Sequence, residues 1–167
     1  TADKMVLGHQ NPDYILGLNN TFTYRQFDFS FFVMARIGQT IKSDLLGRYT
    51  AAKPGSVNQI AGADYWTENN QSAYFPIAGS GSEQSVMSAL VYRDGSFAKI
   101  KNVTLGYSLP SKWINNLKME KCRLYFTAYN PLVVVKDKQL QGTDPENNGS
   151  DSFPLYSQFV FGANISF

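Results

Sequence analysis

The chain closes on "FVFGANISF", where Phe159, Phe161, Ala163, Ile165 and Phe167 fall on one side of an extended backbone and Val160, Gly162, Asn164 and Ser166 on the other. An apolar side of this amplitude needs a cover. Each fully buried Phe or Ile contributes roughly 1.5–3 kcal/mol, so four left in water forfeit an amount comparable to the stability of a whole domain.

The same alternation recurs four times upstream. Tyr14, Leu16, Leu18, Phe22 and Tyr24 share a face over 13–24, and Phe27, Phe29, Phe31, Val33, Ala35 and Ile37 share one over 27–38, with only "RQ" between the two segments, the spacing of a tight hairpin. Val103, Leu105, Tyr107 and Leu109 mark a strand over 96–109, and Cys122, Leu124, Phe126 and Ala128 one over 121–135. The closing strand covers 157–167. In the third segment the phase slips at Ile100, between Lys99 and Lys101, which predicts a bulge or the strand's exit from its apolar zone.

The connections alternate too. A two-residue turn is followed by a very long stretch (39–94), a short turn and a second long loop (136–156), so in a meander both short turns lie at one end and both long loops at the other. Transmembrane β-barrels have that asymmetry, and strands of about 10–12 residues suit a tilted crossing of the hydrocarbon layer. Soluble sandwiches use shorter strands, near 5–6 residues. Five strands cannot close a barrel, since about eight are needed. Nor can an open edge sit in lipid, where its unpaired amides find no partner. The expectation is therefore an all-β antiparallel meander that is one piece of a larger sheet, cut from a longer polypeptide before Thr1. A soluble, secreted β-sandwich that binds glycans is the alternative.

Composition supports this direction. Charged residues make up 17% and aromatics 14%, against roughly 25% charged in soluble domains. The net charge of +2, without a basic cluster, gives nucleic acid no footprint. Cys122 is the single cysteine and reads as a packed thiol. No apolar run reaches the ~18 residues of a membrane-spanning helix. Tyr107, Trp113, Tyr129 and Tyr156 lie near strand ends, where rings serve either a membrane interface or an ordinary core. Short helical turns are expected in "SDLLGRYTA" and "SKWINNLKME".

No catalytic, metal or cofactor constellation emerges. His9 is the only histidine, which leaves no His-based triad and no two-His zinc site within this stretch. "GSGSEQS" lacks the lysine of a phosphate cradle and reads as flexible loop. "DPENNGSD" imitates the start of a calcium loop, but Pro145 interrupts it and Leu155 stands where the bidentate Glu belongs, so it reads as an Asp/Asn/Gly-rich turn.

"DGSFAKIKNVTLGYSLP", "CRLYFTAYNPLVVV", "GTDPE" and the closing "FGANISF", in that order, resemble the C-terminal end of SusC/RagA-type TonB-dependent outer membrane transporters. "NPDYILGLNNTFTYRQFDFSFFV" resembles the preceding hairpin of that family, and "ADYWTENNQSAYFP" its long external loop, although "QSAYFP" stands where a Pro-richer stretch is expected. The resemblance implies the last five strands of a barrel of about 22, in the outer membrane of a Gram-negative bacterium of the Bacteroidetes. It also implies a plug and a TonB-contacting segment outside this stretch, a SusD-like surface lipoprotein as partner, glycan or peptide cargo, no enzymatic activity and no cofactor. Phe167 would be the residue that the barrel assembly machinery reads. Tyr65, Trp66, Tyr74 and Phe75, in the long external loop, are the candidates for contact with cargo or lipoprotein, or else they pin the loop to itself.

Overall fold

The structure is a computed structural model that describes residues 5–49, 64–75, 77, 89–114, 118–150 and 155–167. "GSGSEQS" lies outside the described residues. Five long strands form one antiparallel sheet in the order β1 (Tyr14–Tyr24), β2 (Phe27–Ile37), β5 (Phe97–Ser108), β6 (Lys121–Val135) and β7 (Gln158–Ser166). Every neighbour in this sheet is the next long strand in the chain, which makes it a meander.

Register converts the sequence alternation into two chemically distinct faces. Phe22 pairs with Phe29, Phe29 with Leu105, Leu105 with Phe126 and Phe126 with Phe161, so one apolar rung crosses all five strands. Rings stack along it, with Phe126 and Phe161 centroids 4.7 Å apart and Phe22 and Phe29 6.4 Å apart. Despite that packing Phe161 is 81% exposed and Phe167 82%. The opposite face carries Asp28, Ser30, Asn102, Thr104, Arg123 and Thr127. There Arg123 forks onto Asp28, its Nε donating at 2.8 Å, and the hydroxyls of Thr104 and Thr127 meet at 2.9 Å. Gly106 lies beneath this ion pair, where any side chain would collide with both partners.

No second sheet covers either face among the described residues, and this removes the β-sandwich alternative. A sandwich would have buried Phe159 and Phe161 between layers, whereas they line an open surface.

The phase slip of β5 is a bulge. Asn102 pairs with Phe32 and with Tyr129, while Ile100 pairs with Val33 and with Leu132. Lys101 is the extra residue against β2, and it faces both Asn130 and Pro131 of β6. Asn130 takes a left-handed backbone (φ 49), and Pro131, which has no N–H to give the ladder, sits where the ladder is already interrupted. Tyr129 shares the polar face with Arg123 and Thr127, because an odd offset from Ala128 turns it away from the apolar side. Tyr107 does lie on the apolar face, 4.7 Å from the Phe27 ring.

The two ends of the sheet differ. At the turn end Arg25 adopts φ 53 to close the β1–β2 hairpin, and a single helical turn, α2 (Ser111–Ile114), leads from β5 to β6. At the loop end the long connection is not patternless at its base. Its two legs pair as β3 (Thr40–Lys42) and β4 (Tyr92–Asp94), and α1 (Asp44–Tyr49) follows β3. Gly38 N donates to Ser96 Oγ at 3.0 Å, and Gly95 N to the Gln39 carbonyl at 2.8 Å, continuing the β2–β5 seam past the ends of those strands.

Candidate functional site

Residues 64–75 of the long loop close on themselves. Phe75 N donates to the Asp64 carbonyl and Trp66 N to the Phe75 carbonyl, each at 2.9 Å, bringing Tyr65 alongside Phe75. The Asp64 carboxylate holds the interior of the excursion, accepting from Tyr74 N at 3.1 Å and from Asn70 Nδ2 at 2.6 Å. Asn70 N in turn donates to the Thr67 carbonyl at 2.9 Å, closing a tight turn over "TENN".

The four aromatic candidates then part company. Phe75 is 3% exposed and forms a small core with Leu46 of α1 and Val91. Tyr65 and Tyr74 pack against that core, their ring centroids 5.9 and 4.9 Å from that of Phe75, the second pair edge to face. The Tyr65 hydroxyl is buried with no hydrogen-bond partner among the described residues. Trp66 is half-buried and stands outside the core cluster. Three of the four therefore pin the loop to itself, and Tyr65, Trp66 and Tyr74 are half-buried.

Sequence reasoning missed Arg93. Its guanidinium lies 4.7 Å from the Tyr74 ring centre and forks onto Asp137 of the second loop, Nε at 2.7 Å and Nη2 at 2.9 Å. Its one visible signal was position, a lone Arg–Asp step in "VYRDG" where periodic order resumes.

The second loop is fastened along its length. Asp137 caps the short turn Lys138–Leu140, and Leu140 is fully buried. Asp144 caps the turn Pro145–Asn147 through Glu146 N at 3.0 Å. The Asp144 carboxylate also meets the Lys99 ammonium, which reaches Glu146 at 2.9 Å, and Glu146 takes Lys101 as well, at 2.6 Å. The Lys99 side chain is wholly buried. "DPENN" is thus a structural turn whose carboxylates serve Lys101 in the β5 bulge and Lys99 just before it. Burial pushes the Glu146 carboxyl up, but the hydrogen bonds from Lys101 and Lys99 outweigh it and hold the group below the usual carboxylate range. Asp94 behaves alike: burial raises it, and Lys136 and Ser96 more than reverse that. Gly149, at φ +81, closes the layer by presenting its carbonyl to Asp44 N at 2.8 Å, with the Lys42 carbonyl packed where a side chain would sit.

A one-layer sheet with a greasy face, short turns at one end and a cross-braced loop layer at the other defines a stretch of transmembrane β-barrel wall. Comparison with known proteins makes the class specific. TonB-dependent receptor P3 of Formosa agariphila is 30% identical over the whole of this chain, and TonB-dependent receptor SusC of Bacteroides thetaiotaomicron is 29% identical, again over the whole chain. These matches take up 18% and 16% of the relatives' own lengths, so the chain spans less than a fifth of either. Among solved structures, the RagAB peptide transporter superposes with a TM-score of 0.75 at 22% identity, covering 94% of this chain and 17% of that one; RagAB in its closed-closed state gives 0.65 over 89%. No family model matches the chain. The chain is thus similar over its whole length to TonB-dependent receptors of the SusC/RagA kind, which are outer membrane proteins, and its sheet matches the C-terminal barrel part of such a receptor.

Proposed function

We propose that this chain supplies wall and external loops to a TonB-dependent importer of oligosaccharides or peptides, and that the importer works with a SusD-like surface lipoprotein. The observation that carries the reading is the division of the chain into a lipid-suited sheet and an organised loop layer, together with likeness across the whole chain to receptors of this class. One solved structure that the chain resembles is named the RagAB peptide transporter, which supports a peptide cargo among these two kinds. TonB engagement and the plug belong to parts of such a protein outside this chain.

Within the loop layer, Tyr65, Trp66 and Tyr74 offer ring faces that stack on sugars or fill peptide pockets, and buried Phe75 sets their positions. Phe167 follows β7 with its ring exposed, which suits the role of barrel-assembly signal. The test is deletion of the parent gene, followed by growth on single oligosaccharides and on peptides as sole nutrient and by affinity purification of the tagged full-length protein. The reading expects growth to fail on one substrate class and a surface lipoprotein to co-purify. Unimpaired growth on every substrate, with no lipoprotein retained, overturns it.

A further inference from the structure

Charge is distributed unevenly along the barrel axis. Of the ten acidic residues among those described, only Asp28 and Glu120 stand at the turn end, and Asp28 is taken up by Arg123. Arg25, Lys112, Lys118 and Lys121 at that end are exposed, and none of them makes an ion pair among the described residues. At the loop end, by contrast, Arg93, Lys99, Lys101 and Lys136 each hold a carboxylate.

Next to this unneutralised rim the apolar face is indented. Tyr107 pairs with Phe27 on one side and Leu124 on the other, in the last outward rung of β5 before the turn; Leu105 and Phe126 belong to the rung above. The Phe27–Tyr107 and Phe126–Phe161 ring pairs, with Leu105 and Leu124, line a shallow, open groove of about 340 Å³. Ala163, small and paired with Leu124, leaves the β7 side low. Arg25, two residues from Phe27, lies over the Tyr24 ring at 5.3 Å, and exposed Trp113 adjoins Lys112 in α2.

We propose that this turn-end groove and its basic rim form a binding site for an anionic phospholipid of the inner leaflet. One acyl chain lies between the two ring pairs, and the phosphate is met by Arg25 and Lys112. A hydrocarbon trough alone accepts any acyl chain; the rim, basic and almost without acid, selects the headgroup. The inference rests on the membrane placement of the sheet and is independent of what the importer carries.

Native mass spectrometry of the full-length transporter in mild detergent, with equimolar phosphatidylglycerol and phosphatidylethanolamine of identical acyl chains, tests it. Phosphatidylglycerol is expected to be retained roughly 25-fold more, and Arg25→Gln and Lys112→Gln to lower that preference by roughly five-fold each, so that the double variant retains the two lipids about equally. Leu124→Trp, which fills the trough, should reduce retention of both lipids. Equal retention by the wild type, or an undiminished preference in the double variant, overturns the site. Should the double variant not insert, as judged by loss of its heat-modifiable gel shift, the wild-type ratio and Leu124→Trp still decide.

Discussion

Phe161 and Phe75 each have an aromatic ring less than 6 Å away, yet one is 81% exposed and the other 3%. The sheet places its rings on a continuous outer surface and relies on an apolar solvent to cover them. The loop layer gathers its rings around Leu46 and Val91 and makes its own core, then fastens it with Arg93–Asp137 and the Lys99 cluster. One part of the chain is stable because of where it is inserted, the other because of what it touches. It follows that damage to the two parts should be separable, which the following experiments exploit.

The largest effect is expected from Lys99→Met. Removing a wholly buried ammonium leaves the Asp144 carboxylate uncompensated in a site with almost no water, a loss of about 3–5 kcal/mol. The cost should fall on the loop layer: hydrogen exchange over 138–149 rises, while the strands keep their protection and the full-length barrel its heat-modifiable mobility. Global loss of the barrel would show that sheet and loop layer are one cooperative unit. The converse experiment is Phe161→Arg, which places a charge among acyl chains at about 2–4 kcal/mol. Insertion should fail even though every loop contact is intact, whereas Val160→Thr, one residue away on the other face, should insert normally. Equal tolerance of both would remove lipid as the cover of this face.

How much of this could be read beforehand also divides along the same line. The sheet was legible because period-2 alternation is a local signal repeated over long segments, and even the β5 bulge showed as a phase slip at Ile100. Its counterpart at Asn130–Pro131 was visible only as a proline inside a strand pattern. The loop layer was mostly illegible. Three-residue strands such as Thr40–Lys42 are too short to show a period, and the Lys99 cluster joins residues about 45 apart in sequence. Composition marked Tyr65, Trp66, Tyr74 and Phe75 as a group, but which ring goes inside depends on Leu46 and Val91, far away in the chain.

A middle-sized effect is expected from Gly149→Ala. The residue sits at φ +81 with the Lys42 carbonyl packed against it, so a methyl group adds backbone strain of about 1–3 kcal/mol and parts the second loop from α1. Limited proteolysis of the full-length protein in membranes should then nick the 136–150 loop faster than the wild type, with barrel yield unchanged. An unchanged rate would mean that the Gly149–Asp44 contact does not hold the loops together.

The smallest effect is that of acid. The folded-state carboxyls of Glu146 and Asp94 lie below their ordinary range of about 4, so the stability they add is fully present above that range and is lost only as pH falls through their lower folded values. Lys136, raised by its hydrogen bond to Asp94, contributes fully at any pH below the ordinary lysine value of about 10.4. Between these limits the braces do not titrate, so exchange over 136–149, corrected for intrinsic rates, should stay flat from about pH 5 to 9 and rise below about pH 4. The two braces should also differ in salt. Lys136–Asp94 is exposed enough to be screened, so Lys136→Gln should change nothing measurable at high ionic strength, while the Lys99 cluster, shut away from the Debye atmosphere, should hold the loop layer in place at any salt concentration. A loop layer that loosened with salt near neutral pH would assign its cohesion to the exposed pair and reverse the ranking drawn between the buried and the surface charges.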